Sequence, residues 1–311
     1  MSGRFCGLRT TFPRPGPICQ ALPTCVQPVA ARPSTNAAMI LKALYRSLLR
    51  LPRFKGKSRI VTRVRDWFFV DHPMRVAHGL RMYLDPQEWL QIELLERGTL
   101  CPEMVELQFG LLKPGDCYVN AGAHVGFFTL HARVCVGETG RLLAVDPQPY
   151  NCDCILRNAA ANGFANITVC VAALGDENGA VKLPHQGHRD KARLEMDAAG
   201  FRGNNLPQTF VVPLLRLDRL LHEEGINRVR LLYVNTPSFH LPVLRGLDGF
   251  NGIVDHLVVY MNCPENEPVS PPPEFHDWFR VRGYQLRTLH GADWIPGQPI
   301  PTRRLWAARP G

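Results

Sequence analysis

The sequence predicts an α/β domain in which a mostly parallel β-sheet is covered by helices on both faces. Three observations lead to this fold class. Strand-like and helix-like segments alternate from about Gly110 onward, a glycine-containing loop at Gly122–Gly126 follows the first of these strands, and Asp146 ends the next one. Ligands of such sheets bind at the carboxyl ends of the strands, so the loop and the acid indicate where the binding cleft lies.

The individual elements follow from the period of the apolar residues and from the turn-forming residues between them. Parallel strands are predicted at Cys117–Asn120, Arg141–Val145, Ile167–Ala172, Leu231–Val234 and His256–Met261. Helices are predicted at Gly126–Val136, Asn151–Asn162 and Glu274–Arg282. The runs Tyr284–Leu289 and Arg304–Ala308 are expected to close the fold as an antiparallel hairpin, and His185–Pro207 to form a polar, irregular insertion.

Composition divides the chain into three parts. Residues 1–38 contain six prolines and no acid, and they are predicted to be a disordered Pro/Arg-rich extension. Residues 39–109 are expected to form a basic helical lead-in followed by a strand-helix preamble, and residues 110–311 the main α/β domain. A translation start at Met39 is an alternative explanation of the first part.

The excess of positive charge lies in the N-terminal region. Residues 1–70 hold 13 of the 36 Lys and Arg but one of the 27 Asp and Glu, which leaves 23 basic and 26 acidic residues in the remainder. A nearly neutral domain argues against nucleic acid as a partner. Within residues 39–65, Lys42, Arg46 and Arg50 recur at helical spacing. Two interpretations stay open, a helix in contact with a membrane surface and a helix docked on the domain with a solvated cationic face.

The cysteines and the hydropathy pattern bear on metal binding and location. Ten cysteines are scattered without a Cys-x-x-Cys pair, so no metal site is predicted. Cysteines within apolar strands favour a reduced compartment, and we expect a cytoplasmic protein. No stretch reaches the roughly 18 consecutive apolar residues of a membrane-spanning helix, so no transmembrane segment is expected.

The loop and Asp146 together predict an adenosine-binding site. Glycine at positions 122 and 126 lets the backbone approach a ligand closely, and the carboxylate of Asp146 can accept hydrogen bonds from both ribose hydroxyls. A dinucleotide fingerprint that starts at Gly122 would need glycine where His124 and Phe127 stand, so that cofactor class is excluded. A tight βα turn with an incidental acid is the alternative.

Further segments agree in order with one known family. They include Tyr83-Leu-Asp-Pro, Gly122-Ala-His-Val-Gly126, Ala144-Val-Asp-Pro, Asn158-(x)3-Asn162, the turn Ala172–Gly179 and Leu217-Asp-Arg-Leu220. Over roughly half of its length the chain thus resembles the FkbM-type methyltransferases. The resemblance implies a Rossmann-like class I methyltransferase fold with a seven-stranded sheet and S-adenosyl-L-methionine as cofactor. It also implies methyl transfer to a hydroxyl of a small molecule or sugar.

The resemblance also implies a set of site residues. Contacts with the cofactor are expected from Asn120, Gly122, Ala123, His124, Gly126, Asp146 and Ala173. The candidate catalytic residues are Asn235 and His240, which lie at and after the end of the fourth strand. The imidazoles of His124 and His240 would work as general bases near neutral pH if they were free.

Three acids of the family pattern are replaced, by Asn120, Asn235 and Pro237. A second hypothesis is therefore a catalytically inactive methyltransferase-fold protein that acts as a binding or regulatory module. The run Asn235-Thr-Pro-Ser-Phe239 also resembles the Asn-Pro-Pro-aromatic motif of amino-methylating enzymes, with one residue too many. A third hypothesis is an enzyme of another class that uses a different nucleotide.

Overall fold

The computed structural model describes residues 73–85, 88–184, 196–197, 200–201, 209–263 and 268–309, together with isolated positions between 47 and 63. The predictions for residues 1–38, for nearly all of the basic helix and for most of the 185–207 insertion lie outside the described residues. Within the described part of the chain, no helix combines the length and the apolar character that crossing a bilayer requires.

The elements fall in the order that the sequence predicts for the main domain. The helices are α1 (Trp89–Arg97), α2 (Pro102–Leu111), α3 (Phe127–Val136), α4 (Pro149–Ala161), α5 (Leu217–Glu223), α6 (His240–Arg245) and α7 (Pro273–Val281). The strands are β1 (Met74–Arg75), β2 (Arg81–Met82), β3 (Cys117–Ala121), β4 (Arg141–Asp146), β5 (Ile167–Val171), β6 (Ala173–Gly175), β7 (Gly179–Pro184), β8 (Met196–Asp197), β9 (Gly200–Phe201), β10 (Thr209–Arg216), β11 (Arg228–Val234), β12 (Ile253–Tyr260), β13 (Gln285–Thr288) and β14 (Arg304–Ala308).

Seven strands form the central sheet, in the order β13-β14-β12-β11-β3-β4-β5. The five strands from β12 to β5 are parallel, whereas β14 pairs antiparallel with both β12 and β13. The predicted parallel strands and closing hairpin are confirmed. Strand order reverses at β3, which lies between β4 and β11, and this reversal places the ends of β3 and β11 side by side at the carboxyl edge.

The preamble joins the core of the sheet domain. One buried cluster includes Met82 of β2, Leu94 of α1, Met104 of α2, Tyr118 of β3 and Leu130 of α3. Helix α1 begins where the Glu88 carboxylate caps the first turn and ends at a left-handed glycine. The two N-terminal helices therefore cover one face of the sheet as part of its core.

A second, three-stranded sheet follows β5, in the order β6-β10-β7. The sequence predicts a turn and an irregular insertion here, so the interpretation missed these strands. Strand β10 pairs parallel with β6 and antiparallel with β7 from Thr209↔Pro184 to Leu214↔Gly179. The 185–207 insertion therefore connects two strands of one hairpin.

Candidate functional site

The loop between β3 and α3 is built on three residues with left-handed backbone. Gly122, His124 and Gly126 have φ of 83°, 51° and 88°. The N–H groups of Gly122 and Ala123 both donate to the carbonyl of Val145, at 2.8 and 3.0 Å. The loop is therefore fastened to the end of β4, and its backbone stands at the carboxyl edge of the sheet.

Gly122 lies against the backbone at the end of β11. A Cβ on this residue would stand 2.2 Å from the carbonyl oxygen of Asn235, and the Asn235 N–H donates to the Ala121 carbonyl at 2.7 Å. No side chain fits in that space, because real Cβ atoms do not approach a backbone oxygen so closely. The positive φ and this contact both require glycine at position 122.

Asp146, the last residue of β4, receives three hydrogen bonds. Its Oδ2 accepts from the His124 N–H at 2.8 Å, and its Oδ1 accepts from the Gln148 N–H and the Asn151 Nδ2, both at 2.9 Å. Burial raises the pKa of the Asp146 carboxyl, and the donors from Gln148, Asn151 and His124 offset part of that rise. A carboxylate has about four acceptor positions, so one direction at Oδ2 is still available.

Asn120 is buried at the end of β3, with its side chain directed toward α3. Its Nδ2 donates to the Thr129 Oγ1 at 3.0 Å. Its Oδ1 is sealed from solvent and has no hydrogen-bond partner among the described residues. Because a buried polar atom is costly when unpaired, this oxygen is an acceptor that a ligand could use.

His124 contacts an acidic residue that the sequence interpretation did not select. Its Nε2 lies 3.7 Å from Oε2 of Glu88, whose carboxylate also accepts from the N–H groups of Leu90 and Gln91. The contact brings the start of α1 over the β3–α3 loop. Glutamate is not among the residues that mark a helix N-cap in sequence, so the sequence carried no signal for this role of Glu88.

Asn158 of α4 holds the β3–α3 loop by hydrogen bonding to its backbone. This fully buried side chain donates to the Val125 carbonyl at 3.0 Å and accepts from the Tyr83 N–H at 2.7 Å. One turn later, Asn162 accepts from the Arg81 N–H and donates to the Arg81 carbonyl. The two asparagines of the Asn-(x)3-Asn segment thus join the preamble to α4, and the first of them also holds the loop.

Ala173 is the first residue of β6, which starts beside the end of β4 where Asp146 lies. The N–H of its neighbour Ala172 donates to the backbone carbonyl of Asp146 at 3.2 Å. This contact holds the start of β6 beside the end of β4. Ala173 therefore lies on the same side of the cleft as the predicted ribose-binding acid.

The segment after β11 forms a compact turn. The Asn235 Nδ2 lies 3.4 Å from the Gly122 carbonyl, and the Phe239 N–H donates to the Thr236 carbonyl. Ser238 has a left-handed φ of 62° and its Oγ accepts from the Asn262 Nδ2 at 3.3 Å. Ser238 thus adopts a backbone conformation that glycine adopts most readily.

His240 is the first residue of α6 and packs against α7. Its ring makes an edge contact with Phe275 of α7, with the centroids 5.2 Å apart. Burial lowers the pKa of His240 to about 4, so the imidazole is neutral at pH 7 and weakly basic. The structure brings the seven predicted cofactor residues and Asn235 together, and it leaves His240 on the α7 side.

Comparisons with known proteins agree with this geometry. A family model described as the methyltransferase FkbM domain matches residues 120–286, more than half of the chain. The chain belongs to the FkbM methyltransferase family. The matched region runs from Asn120 through the loop, Asp146, the second sheet and the turn after β11 as far as β13. With its seven-stranded sheet, this FkbM domain has the Rossmann-like class I methyltransferase fold.

Individual relatives are more distant. Methyltransferase sdnD of Sordaria araneosa is 25% identical over 205 residues, which cover 58% of this chain and 77% of the relative. Trm5b from Pyrococcus abyssi is a similar solved structure, with 14% identity, 76% coverage of this chain, 53% coverage of that chain and a TM-score of 0.39. TYW2 of M. jannaschii in complex with AdoMet has 12% identity, 74% and 82% coverage, and a TM-score of 0.38. The FkbM chain thus spans about half the length of Trm5b.

Proposed function

We propose that this protein is an S-adenosylmethionine-dependent methyltransferase that transfers methyl to a hydroxyl oxygen of a small molecule or sugar. One observation carries the proposal. The left-handed loop Gly122–Gly126 is fastened to the end of β4, where the Asp146 carboxylate keeps an acceptor direction beside the His124 N–H. An adenosine with its ribose toward Asp146 fits that arrangement.

The residues at the cleft fit the charged end of the cofactor as well. The unpaired Oδ1 of Asn120 is an acceptor for an ammonium group or for a bridging water. Gly122 packs against the Asn235 carbonyl, which keeps the loop next to the turn after β11. Asparagine in place of aspartate removes charge assistance, which lowers cofactor affinity by about tenfold, or about 1.4 kcal/mol.

When bound, S-adenosylmethionine supplies an electrophilic methyl group. The chain's part is mainly to hold two reactants in line at a fixed distance. The turn after β11 stands next to Gly122, so the Asn235 side chain would orient the acceptor by hydrogen bonding. His124 and Glu88 would cover the loop from the α1 side and limit the access of water.

A second candidate function is a catalytically inactive member that binds ligands or partners. The observation that favours it is the chemistry after β11, where Asn235 and Pro237 replace acids and His240 packs against Phe275 with a pKa near 4. An alcohol acceptor normally needs a general base, and this turn contains no acidic side chain. If the protein is a methyltransferase, its general base is therefore another residue of the chain or a group of the acceptor.

Calorimetric titration with S-adenosylmethionine and S-adenosylhomocysteine tests the cofactor site. We expect micromolar binding by the full chain and roughly 10- to 100-fold weaker binding by Asp146→Ala, because a hydrogen bond to a charged group is lost. Asp153→Ala removes the same charge from the exposed face of α4 and is expected to bind like the parent. No binding by a folded parent protein would refute the proposed cofactor.

Restoring the family acids separates the two candidates. The double substitution Asn235→Asp, Pro237→Glu is compared with the parent protein in a methyl-transfer assay against a panel of small hydroxylated acceptors. An active parent supports the enzyme. An inactive parent that binds the cofactor and gains activity through the two acids supports the binding module.

A further inference from the structure

Arg304 at the start of β14 lies among aromatic rings on the face of the sheet covered by α2 and α3. Its guanidinium carbon is 5.0 Å from the centroid of the Tyr260 ring, 5.6 Å from that of Phe128 and 5.9 Å from that of Tyr233. Its Nε donates to the Tyr233 hydroxyl at 2.8 Å, and its Nη1 donates to the Thr302 carbonyl at 3.0 Å. The aromatic rings and the two hydrogen bonds fix the guanidinium in one place.

This guanidinium stands at the carboxyl edge of the sheet, on the acceptor side of the cofactor loop. Arg304 is opposite Tyr260, the last residue of β12, and Tyr233 is opposite Asn120, the last but one residue of β3. The Met261 N–H donates to the Arg303 carbonyl at 2.7 Å, which holds the two strand ends together. Arg304 therefore lies one strand beyond the end of β12 and two strands beyond that of β11, and it contacts β11 through Tyr233, two residues before Asn235.

The positive charge of Arg304 is not neutralised by the described residues. Among them, no Asp or Glu forms an ion pair with this side chain, and two of its five N–H groups have hydrogen-bond partners. Arg287 of the same hairpin, by contrast, pairs with Asp293. A half-buried guanidinium with three N–H groups to spare is an anion-binding group that is already in position.

We propose that Arg304 binds a carboxylate group of the methyl acceptor, so that the substrate is a hydroxylated carboxylic acid. The inference rests on the proposed function, since it assigns one end of the acceptor to the same cleft. Tyr233 positions the guanidinium, and the partly exposed ring of Tyr260 offers an apolar surface to the body of the acceptor. The acceptor hydroxyl then lies toward Asn235 and the cofactor loop.

The surroundings favour a carboxylate over a phosphate. A single planar guanidinium matches a singly charged carboxylate, whereas phosphates are usually held by several donors such as the first turn of a helix. One helix start close to Arg304 is that of α2, where the guanidinium lowers the pKa of the Cys101 thiol that burial raises. That helix begins with Pro102, which has no N–H, followed by Glu103, whose charge would repel a dianion.

The test compares matched pairs of probes that differ in one charge. Ligand-observed NMR titrations of the full chain, with and without S-adenosylhomocysteine, use 4-hydroxybenzoate against 4-hydroxybenzamide and glucuronate against glucuronamide. In at least one pair we expect the acid to bind at least about tenfold tighter than the amide, the value of one charged hydrogen bond. Equal affinities within both pairs, or no binding by any probe, would overturn the inference.

Two substitutions on one strand locate the effect. Arg304→Met is expected to abolish the preference for the acid, whereas Arg309→Met, which removes the same charge from above the Tyr284 ring at the other end of β14, is expected to keep it. A preference that survives Arg304→Met would overturn the inference. If Arg304→Met does not fold, Arg304→Lys takes its place. This variant retains the charge but not the planar guanidinium, so it is expected to reduce the preference for the acid without removing it. An unchanged preference in Arg304→Lys would count against recognition by the guanidinium.

The outcomes are distinguishable from failure of the proposed function. If the protein prefers the acids but does not bind S-adenosylhomocysteine, the result supports the anion site at Arg304 and refutes the proposed cofactor. If the protein binds S-adenosylhomocysteine but shows no preference for the acids, the result supports the proposed cofactor and refutes the anion site at Arg304.

Discussion

Three glycines of this chain allow two costs of adding a side chain to be measured separately, the cost of the left-handed backbone and the cost of the steric contact. Gly115, Gly122 and Gly126 have nearly the same φ, of 89°, 83° and 88°. What an added Cβ would meet differs: a hydroxyl oxygen of Thr139 at 3.8 Å for Gly115, a side-chain carbon of Ile155 at 3.1 Å for Gly126, and the Asn235 carbonyl oxygen at 2.2 Å for Gly122.

The expected free energies of unfolding follow from these contacts. Gly115→Ala should lose about 1 kcal/mol, since a left-handed backbone costs roughly 1–2 kcal/mol for a residue with a Cβ. Gly126→Ala should lose slightly more, because the Ile155 side chain can move by a few tenths of an ångström. Gly122→Ala should lose about 2–4 kcal/mol, because the backbone at the end of β11 has to shift and overpacking typically costs a further 1–3 kcal/mol.

Urea unfolding of the three variants measures these losses, and titration with S-adenosylhomocysteine measures the consequence for the site. Gly122→Ala alone should weaken binding strongly, because the shift separates the loop from the turn after β11. The reasoning is refuted if Gly122→Ala and Gly115→Ala are equally stable, since the contact with Asn235 would then carry no energy.

Three further predictions concern groups that position the site. Burial lowers the pKa of His131 to about 4 from 6.5, so protonation favours the unfolded chain and this residue should reduce stability by about 2 kcal/mol between pH 7 and pH 5; chemical unfolding at both pH values should show a loss smaller by about that amount in His131→Asn than in the parent, and the loss that remains should include that of His240, whose pKa burial also lowers to about 4. Asn158→Ala leaves two backbone groups unpaired and should cost roughly 2–4 kcal/mol in urea unfolding, against about 1 kcal/mol for the more exposed Asn162→Ala. Burial alone would raise the pKa of Asp218, but hydrogen bonds from Arg216 and two backbone N–H groups hold it below its usual range; Asp218→Ala should therefore lose roughly 2 kcal/mol at pH 7, and the difference from the parent should shrink as the pH falls below 4.

Each of these three has a result that would contradict it. An equal loss between pH 7 and pH 5 in His131→Asn would assign the acid sensitivity to other groups. Equal costs for the two asparagines would mean that the buried link to the loop adds nothing to the exposed one. A pH-independent difference for Asp218→Ala would mean that the carboxylate is not stabilised by its donors.

The central sheet was predictable because its strands are buried on both faces. Runs such as Leu142–Val145 and Leu231–Val234 are continuously apolar, and a buried parallel strand has no other pattern to show. The second sheet was missed because β7 and β10 are solvent-facing on one side and are separated by a long polar insertion. Val211, for example, is exposed in β10, the central strand of this sheet, so the apolar residues of β10 do not mark its buried face.

The candidate site was predictable where backbone conformation decides the residue, as at Gly122 and Gly126. Side-chain direction was not predictable in the same way. His240 follows the strand end directly in sequence, yet the turn at Thr236–Phe239 and the start of α6 rotate its ring onto Phe275. Glu88 and Asn158 were not predicted as site residues, because they contact the loop from positions more than 30 residues away in sequence.

The place of β14 has a consequence for how the chain is assembled during synthesis. This strand leaves the ribosome after β13 but is inserted between β13 and β12, so β12 exposes an unpaired edge for more than 40 residues of elongation. An open edge of this kind is a template for pairing with other nascent chains. Arg304 is the first residue of β14, so the cationic group is put in place by the same step that covers the edge of β12.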